Sequence, residues 1–465
     1  MKTSIKNQLL VVLILLGVTG PAMAELGDYG FWRTLGNLVN PPAADNPVTA
    51  AQRQGDYPLL ANPPGFNDGF SPGNYYAWQT IPLAPETGAV CGNGSEYKFF
   101  VNRVPNTSNT IIYLEGGGAC WDYESCSGQT GIRGARNPDG IPDDYMNLTN
   151  PSASLVSPFV VRLNPLTSVK TQNWNMVYIP YCTGDVYSGD KVAVYEDPEG
   201  EAEPLIWHHN GLRNTRAAIS WVKDNLQRPK QLLTTGCSAG GLGSLTNYHP
   251  TRRDMEPNRG YMINDSGPAF SAPSGADPEA YPSVLLQSFI RDAWGLDQPN
   301  GPLEYLSDGL PLMNLNDLGS LYTALSAELP NDRMGHTHFW QDLNYSSYSY
   351  ERFYPEIENA PDQATKEALI HERWYTDTER LKGTLSNLNN FGYYLPWFRD
   401  VNESHCTTII EFANSDIQEA GLELDDFVAN VLNGSGAVMQ ASETDQQADY
   451  NKPFNPLYWA LDQLL

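Results

Sequence analysis

The stretch Gln231–Gly243, QLLTTGCSAGGLG, carries residues whose types and spacing could do chemistry. A short apolar run (Leu232, Leu233) leads into Gly236-Cys237-Ser238-Ala239-Gly240. This is the G-x-S-x-G pattern of a nucleophile elbow, where a strand turns sharply into a helix and a serine is pushed out of the backbone. The glycines on either side leave room for the neighbouring strand and helix. The amide of the next residue, Ala239, would be one donor of an oxyanion hole, and its small side chain leaves space for a substrate.

A serine hydroxyl needs a base, and the base needs an orienting acid. In α/β proteins built around an elbow the chain order is nucleophile, acid, histidine. Of the seven histidines, His208 and His209 come too early. His249 falls in or just past the elbow helix, and His336, His338 and His371 fall in an aromatic-rich stretch. His405, beside a late strand-like run, is the expected base. Two acids remain open: Asp342 in Phe339-Trp340-Gln341-Asp342, and Asp265, which follows the strand after the elbow. A second oxyanion donor is expected from Leu114-Glu115-Gly116-Gly117-Gly118-Ala119, directly after a buried strand.

The cysteines add a geometric constraint. Cys237 precedes Ser238 and Cys406 follows His405, so bringing serine and histidine within hydrogen-bond reach brings these cysteines together. A Cys237–Cys406 disulfide is expected to hold base and nucleophile in register. Six cysteines in an exported chain allow three disulfides. Their spacing fits no metal site, and neither metal nor cofactor is expected.

The elements that must position these groups read as an α/β protein with a largely parallel sheet. Strand-like runs occur at Tyr97–Val101, Thr110–Leu114, Met176–Ile179, Gly260–Asn264 and Thr407–Phe412. Apolar residues from Leu212 to Leu226 recur at helical spacing, and Pro229 closes that run. The start is a basic head (Lys2, Lys6), an apolar run Leu9–Val18 and Pro21-Ala22-Met23-Ala24. It reads as a signal peptide over 1–24, cut after Ala24, which makes the protein secreted or periplasmic. Residues 25–90 read as an N-terminal arm and 91–465 as the α/β domain. A helical cap is expected at about 270–400, and a docking helix at Leu457–Leu461. The formal charge of −26 is scattered, which disfavours nucleic acid or anionic lipid as partner. No later run is apolar enough to span a membrane, and a monomer is expected.

Four stretches together resemble the pectin acetylesterase/Notum family of serine carboxylesterases. They are Tyr113–Gly118, Ile179-Pro180-Tyr181-Cys182-Thr183-Gly184-Asp185-Val186-Tyr187-Ser188-Gly189, the elbow, and Asp265-Ser266-Gly267. The resemblance implies an α/β-hydrolase fold, a Ser-Asp-His triad and an oxyanion hole at Gly117, Gly118 and Ala239. It also implies Cys91–Cys182 and Cys120–Cys126 disulfides, and makes Asp265 look structural. Two departures stand out: Asp342 is displaced from the family's acid motif, and Ala119 replaces its aromatic residue after the glycines. The expected activity is hydrolysis of O-acyl, foremost O-acetyl, esters on a polysaccharide. The alternatives are an esterase of hydrophobic, aromatic or polyester substrates, like feruloyl esterases and tannases, and an inactive carbohydrate-binding relative.

Overall fold

The computed structural model describes residues 73–127, 134–142, 145–146, 157–164, 166–413 and 415–444. The expected signal peptide, the arm up to residue 72 and the helix at 457–461 lie outside the described residues.

Short apolar runs become strands because both their faces are covered. Thr110–Leu114 (β3) and Asn175–Ile179 (β4) are buried at every position, as continuous apolar runs inside a parallel sheet must be. With Trp78–Pro82 (β1), Lys98–Asn102 (β2), Gln231–Cys237 (β7), Arg259–Asp265 (β8), Arg333–Thr337 (β9), Phe391–Leu395 (β10) and Gln440–Ser442 (β11), they form a nine-stranded sheet. Its order is β1-β2-β4-β3-β7-β8-β9-β10-β11. Pairings of β2 with β1 and β4 are antiparallel, and all the others are parallel. Lys191–Tyr195 (β5) and Leu205–His209 (β6) make a separate antiparallel pair. The chain places β4 on one side of β3 and returns to place β7 on the other, so a crevice opens at the carboxyl ends of β3 and β7. A mostly parallel sheet, with helices between strands and an elbow at the end of a central strand, is the α/β-hydrolase fold.

The helices used below are Gly211–Asn225 (α1), Ala239–Thr246 (α2), Val284–Ala293 (α3), Leu343–Tyr350 (α4), Gln363–Leu385 (α5) and Leu424–Asn433 (α6). In α1 the apolar periodicity seen in the sequence becomes a buried face that includes Leu212, Ala218, Ile219 and Val222. No helix among the described residues is long and apolar enough to cross a membrane.

Three expectations need correcting. The arm expected at 25–90 contributes β1, an edge strand whose alternating half-burial gives a weaker signal than a buried run. The cap expected at 270–400 supplies two strands of the sheet, β9 and β10. Strand β9 reads RMGHT, and its buried His336 and Thr337 do not look apolar in sequence. The strand expected at Thr407–Phe412 is instead an irregular loop held by side chains.

Candidate active site

Ser238 sits where β7 turns into α2, at φ 58° and ψ −124°. Such a conformation costs a residue with a side chain about 1–3 kcal/mol and persists only where the surroundings enforce it. Here its amide donates to the Asp265 carbonyl at 2.9 Å, and its own carbonyl accepts from Leu242 N at 3.0 Å. A Cβ at Gly236 or Gly240 would run into the Leu114 carbonyl, so only glycine lets β3 pass this close to the turn.

The glycine loop after β3 lies against the elbow. A Cβ on Gly116 would stand 2.7 Å from the Cys237 carbonyl and 3.2 Å from Ser238 Cβ. Gly118, at φ 75°, lines the same small cavity as Ser238 and Ala239. Ala239 opens α2, so its amide has no acceptor in a preceding turn and carries the positive end of the helix dipole. Glu115 fixes the base of the loop. Its buried carboxylate pairs with Arg136 at 3.0 Å and accepts from Tyr181 N at 3.0 Å and from the Tyr145 hydroxyl at 2.5 Å. The Tyr187 hydroxyl donates to the carbonyls of Glu115 and Ile179. Asp185 accepts from Gly211 N, Tyr187 N and the Thr183 hydroxyl, and burial pushes its carboxyl up to about 6. The Ile179–Gly189 stretch therefore buttresses the glycine loop.

His405 is brought to the elbow from the far end of the chain. The Cys237–Cys406 disulfide is formed, with α-carbons 5.7 Å apart, and a His405 ring nitrogen lies within 4.8 Å of both sulfurs. The Cys91–Cys182 and Cys120–Cys126 bridges implied by the resemblance are formed as well. His405 Nδ1 meets Asp342 Oδ2 at 2.8 Å, while the buried Nε2 has no hydrogen-bond partner among the described residues. Asp342 is itself fixed: as N-cap of α4 it accepts from Tyr345 N at 2.9 Å through its other oxygen. Burial pushes its carboxyl above the usual range, and the His405 charge and hydrogen bond pull it back.

Asp265, the alternative acid, is committed elsewhere. Its carboxylate accepts from the amides of Thr407 and Thr408, both at 2.8 Å, and from both threonine hydroxyls. It ties down the loop just beyond His405.

Sequence inspection missed Arg399. Its buried guanidinium donates to the carbonyls of His405 at 3.2 Å, Cys406 and Ile409, and to the Ser415 hydroxyl. Burial pushes it down to about 10, against the pull of Asp265, Glu411 and Asp342. A lone cation following the apolar run Tyr393-Tyr394-Leu395-Pro396-Trp397-Phe398 was the available signal. Ser266, named above as part of the Asp265-Ser266-Gly267 stretch but given no role there, accepts from Cys406 N at 3.1 Å through its hydroxyl.

His209, His336 and His338 are each fully buried among other side chains. His336 Nε2 and His338 Nδ1 lie 2.7 Å apart, and His338 Nε2 lies 3.1 Å from the Thr378 hydroxyl. Burial pushes the His336 imidazole down to about 3. His209 meets the Tyr195 hydroxyl at 2.7 Å.

Above Ser238 the cavity, of only about 10 Å³, is bordered by Val186, Asn344, Tyr345 and Tyr348. Val186, Tyr345 and Tyr348 also line a second, apolar chamber of about 60 Å³, walled by Phe270, Leu286, Ile290, Trp294, Met313 and Leu321.

Comparison with known proteins agrees with the motifs. Residues 73–273 match the family model described as pectinacetylesterase. Pectin acetylesterase 5 of Arabidopsis thaliana is 30% identical over 238 residues, 49% of this chain and 49% of that protein. The palmitoleoyl-protein carboxylesterase Notum of Drosophila melanogaster is 27% identical over 218 residues, 46% of this chain and 30% of that protein. The chain thus spans from under a third to about half the length of these curated relatives. A solved structure of the Wnt deacylase Notum from Drosophila superposes with a TM-score of 0.49 at 18% identity, covering 82% of this chain and all of that one. Ser238, the glycine loop and Asp265 lie inside the matched region, whereas Asp342 and His405 lie beyond it. Residues 73–273, from β1 to just past Asp265-Ser266-Gly267, are thus the part of the chain that is similar to the pectinacetylesterase family.

Proposed function

We infer that the protein is a serine carboxylic ester hydrolase in which Ser238 is the nucleophile, His405 the base and Asp342 the orienting acid. The observation that carries this is the Asp342–His405 hydrogen bond at 2.8 Å, with His405 Nε2 left unpaired and the imidazole tethered to the elbow through Cys237–Cys406. With Nδ1 donating to Asp342, Nε2 is the basic nitrogen. It takes the Ser238 proton as Oγ attacks the ester carbonyl. The oxygen that becomes negative is met by amides of the hole formed by Gly117, Gly118 and Ala239. The same proton then passes to the leaving alcohol, and water activated by His405 releases the acid from the acyl-enzyme. Export belongs to the same proposal, because three disulfides require an oxidising compartment.

The matched pectin acetylesterases support an O-acetyl ester on a polysaccharide as substrate. The apolar chamber next to the Ser238 cavity favours a longer aliphatic acyl group than acetyl, because each buried methylene contributes about 0.8 kcal/mol. Hydrolysis of p-nitrophenyl esters from acetate to octanoate tests both points. Activity on any member supports the esterase. A kcat/KM that rises with chain length assigns the chamber to the acyl group, and one that falls from acetate onwards excludes it. Failure to cleave any ester overturns the assignment and leaves the carbohydrate-binding alternative.

A further inference from the structure

From Tyr348, in the wall of the Ser238 cavity, a chain of aromatic ring contacts runs to the surface. Tyr348, which lines that cavity, packs against Trp121 with ring centroids 5.1 Å apart. Trp121 meets Phe353 at 5.7 Å and Phe289 at 6.4 Å, and these last two meet each other at 6.1 Å. Trp121 is buried, Phe353 half-buried, and Phe289 is 47% exposed. Helix α3 explains the exposure: Leu286 and Ile290 face the apolar chamber, leaving Phe289 on the outer side. A single exposed ring is ordinary on a protein surface. This one ends a ring-to-ring path that starts at the wall of the Ser238 cavity.

Charged groups border the rings. Arg352, next to Phe353, pairs with Asp122 at 2.9 Å and with Glu124 at 3.1 Å, and Asp122 follows Trp121 in the chain. All three stay within reach of solvent, with side chains 31%, 29% and 46% exposed. Carboxylate oxygens accept and a guanidinium donates, which together suit hydroxyl groups that do both. Aromatic faces suit the flat C–H face of a sugar ring. Two carboxylates against one guanidinium leave this rim negative, on a chain whose formal charge is −26. A polyuronate would be repelled over roughly a Debye length of 10 Å, whereas a neutral sugar would not. Phe289, Arg352 and Phe353 all lie outside the region matched by the family model.

We propose that Phe289, Phe353 and the Asp122–Glu124–Arg352 cluster form the subsite that holds a neutral sugar ring of an O-acylated polysaccharide while its ester reaches Ser238. This rests on the esterase assignment above. Binding energy gained on the rim, away from the reacting carbonyl, orients the ester at the nucleophile.

The test compares kcat/KM on acetylated xylan, acetylated polygalacturonate and p-nitrophenyl acetate for the parent, Phe289→Ala and Phe289→Tyr. The parent should favour acetylated xylan over acetylated polygalacturonate. Phe289→Ala should lower the ratio of xylan to p-nitrophenyl acetate activity on the order of tenfold, the loss expected for one good aromatic contact, and Phe289→Tyr should restore it. An unchanged ratio in Phe289→Ala, or faster cleavage of polygalacturonate, overturns the proposal. If the parent cleaves no ester, the esterase assignment falls and the rim is read by titrating xylohexaose into the parent and Phe289→Ala. Binding lost in the variant upholds the subsite, and equal or absent binding overturns it.

Discussion

Ser238 and His405, the nucleophile and base proposed above, are held in place by different physical means. Ser238 is positioned by regular structure: β7 enters, α2 leaves, and glycines at 236 and 240 let β3 close against the turn. His405 sits in a segment with almost no regular structure, where Asn402, Glu403, Ser404, Cys406 and Ile410 all adopt positive φ. Left-handed conformations are unfavourable for residues with side chains. This loop is therefore held from outside, by Asp265 on the amides of Thr407 and Thr408, by Arg399 on successive carbonyls and by one disulfide. At the elbow the order is shared between backbone ladders and glycines that admit the neighbouring strand. A loop fixed by a few side chains concentrates its order in those side chains.

The largest expected effect is at the tip of the elbow. Ser238→Ala should lower kcat on a simple acetate ester by a factor on the order of 10⁶, as removal of a triad nucleophile does, with an unchanged melting temperature. Retention of most activity would remove the serine from the mechanism.

The two aspartates separate chemistry from scaffolding. Asp342→Asn should cost a factor of about 10⁴, because the imidazole loses the group that sets its tautomer and supports its charge. Asp265→Asn should cost roughly tenfold to a hundredfold and lower the melting temperature, because its effect passes through the position of the loop. Equal losses at both, or a collapse of activity at Asp265 alone with stability intact, would reverse the roles.

Reduction of Cys237–Cys406 should lower activity several-fold before the sheet unfolds. A cross-link closing a loop of 169 residues mainly restricts the unfolded chain, and here it also tethers the base. The comparison fails if activity and circular dichroism are lost together as reductant is raised.

The smallest effect belongs to β9, whose His336 is buried against Tyr322 and His338. Its imidazole is held below the ordinary value, at about 3. The folded state therefore binds a proton less readily than the unfolded chain. The stability this contributes is present above about pH 6.5 and is lost as pH falls towards 3. Melting temperatures of the parent should decline over that window, and those of His336→Gln should decline by a few degrees less. Parallel curves would show that His336 does not carry the acid sensitivity.

Several features were determined by the sequence itself. The elbow, the glycine loop, α1 and the buried strands β3, β4, β7 and β8 were legible because each is a local pattern: apolar runs, helical spacing, and glycines where a Cβ cannot fit. The cysteines flanking Ser238 and His405 also carried a long-range contact, because adjacency in the chain is adjacency in space. Other features were decided only by the tertiary structure. Whether Asp342 or Asp265 serves the imidazole depends on which carboxylate faces Nδ1, and both residues are equally buried and acidic in the chain. Arg399, β9 and the irregular Thr407–Phe412 loop have the same cause. Burying a charge, or holding a loop at positive φ, is favourable only once the fold brings partners such as Asp265 to Thr407, 142 residues apart, and no residue pattern at either site marks that pairing.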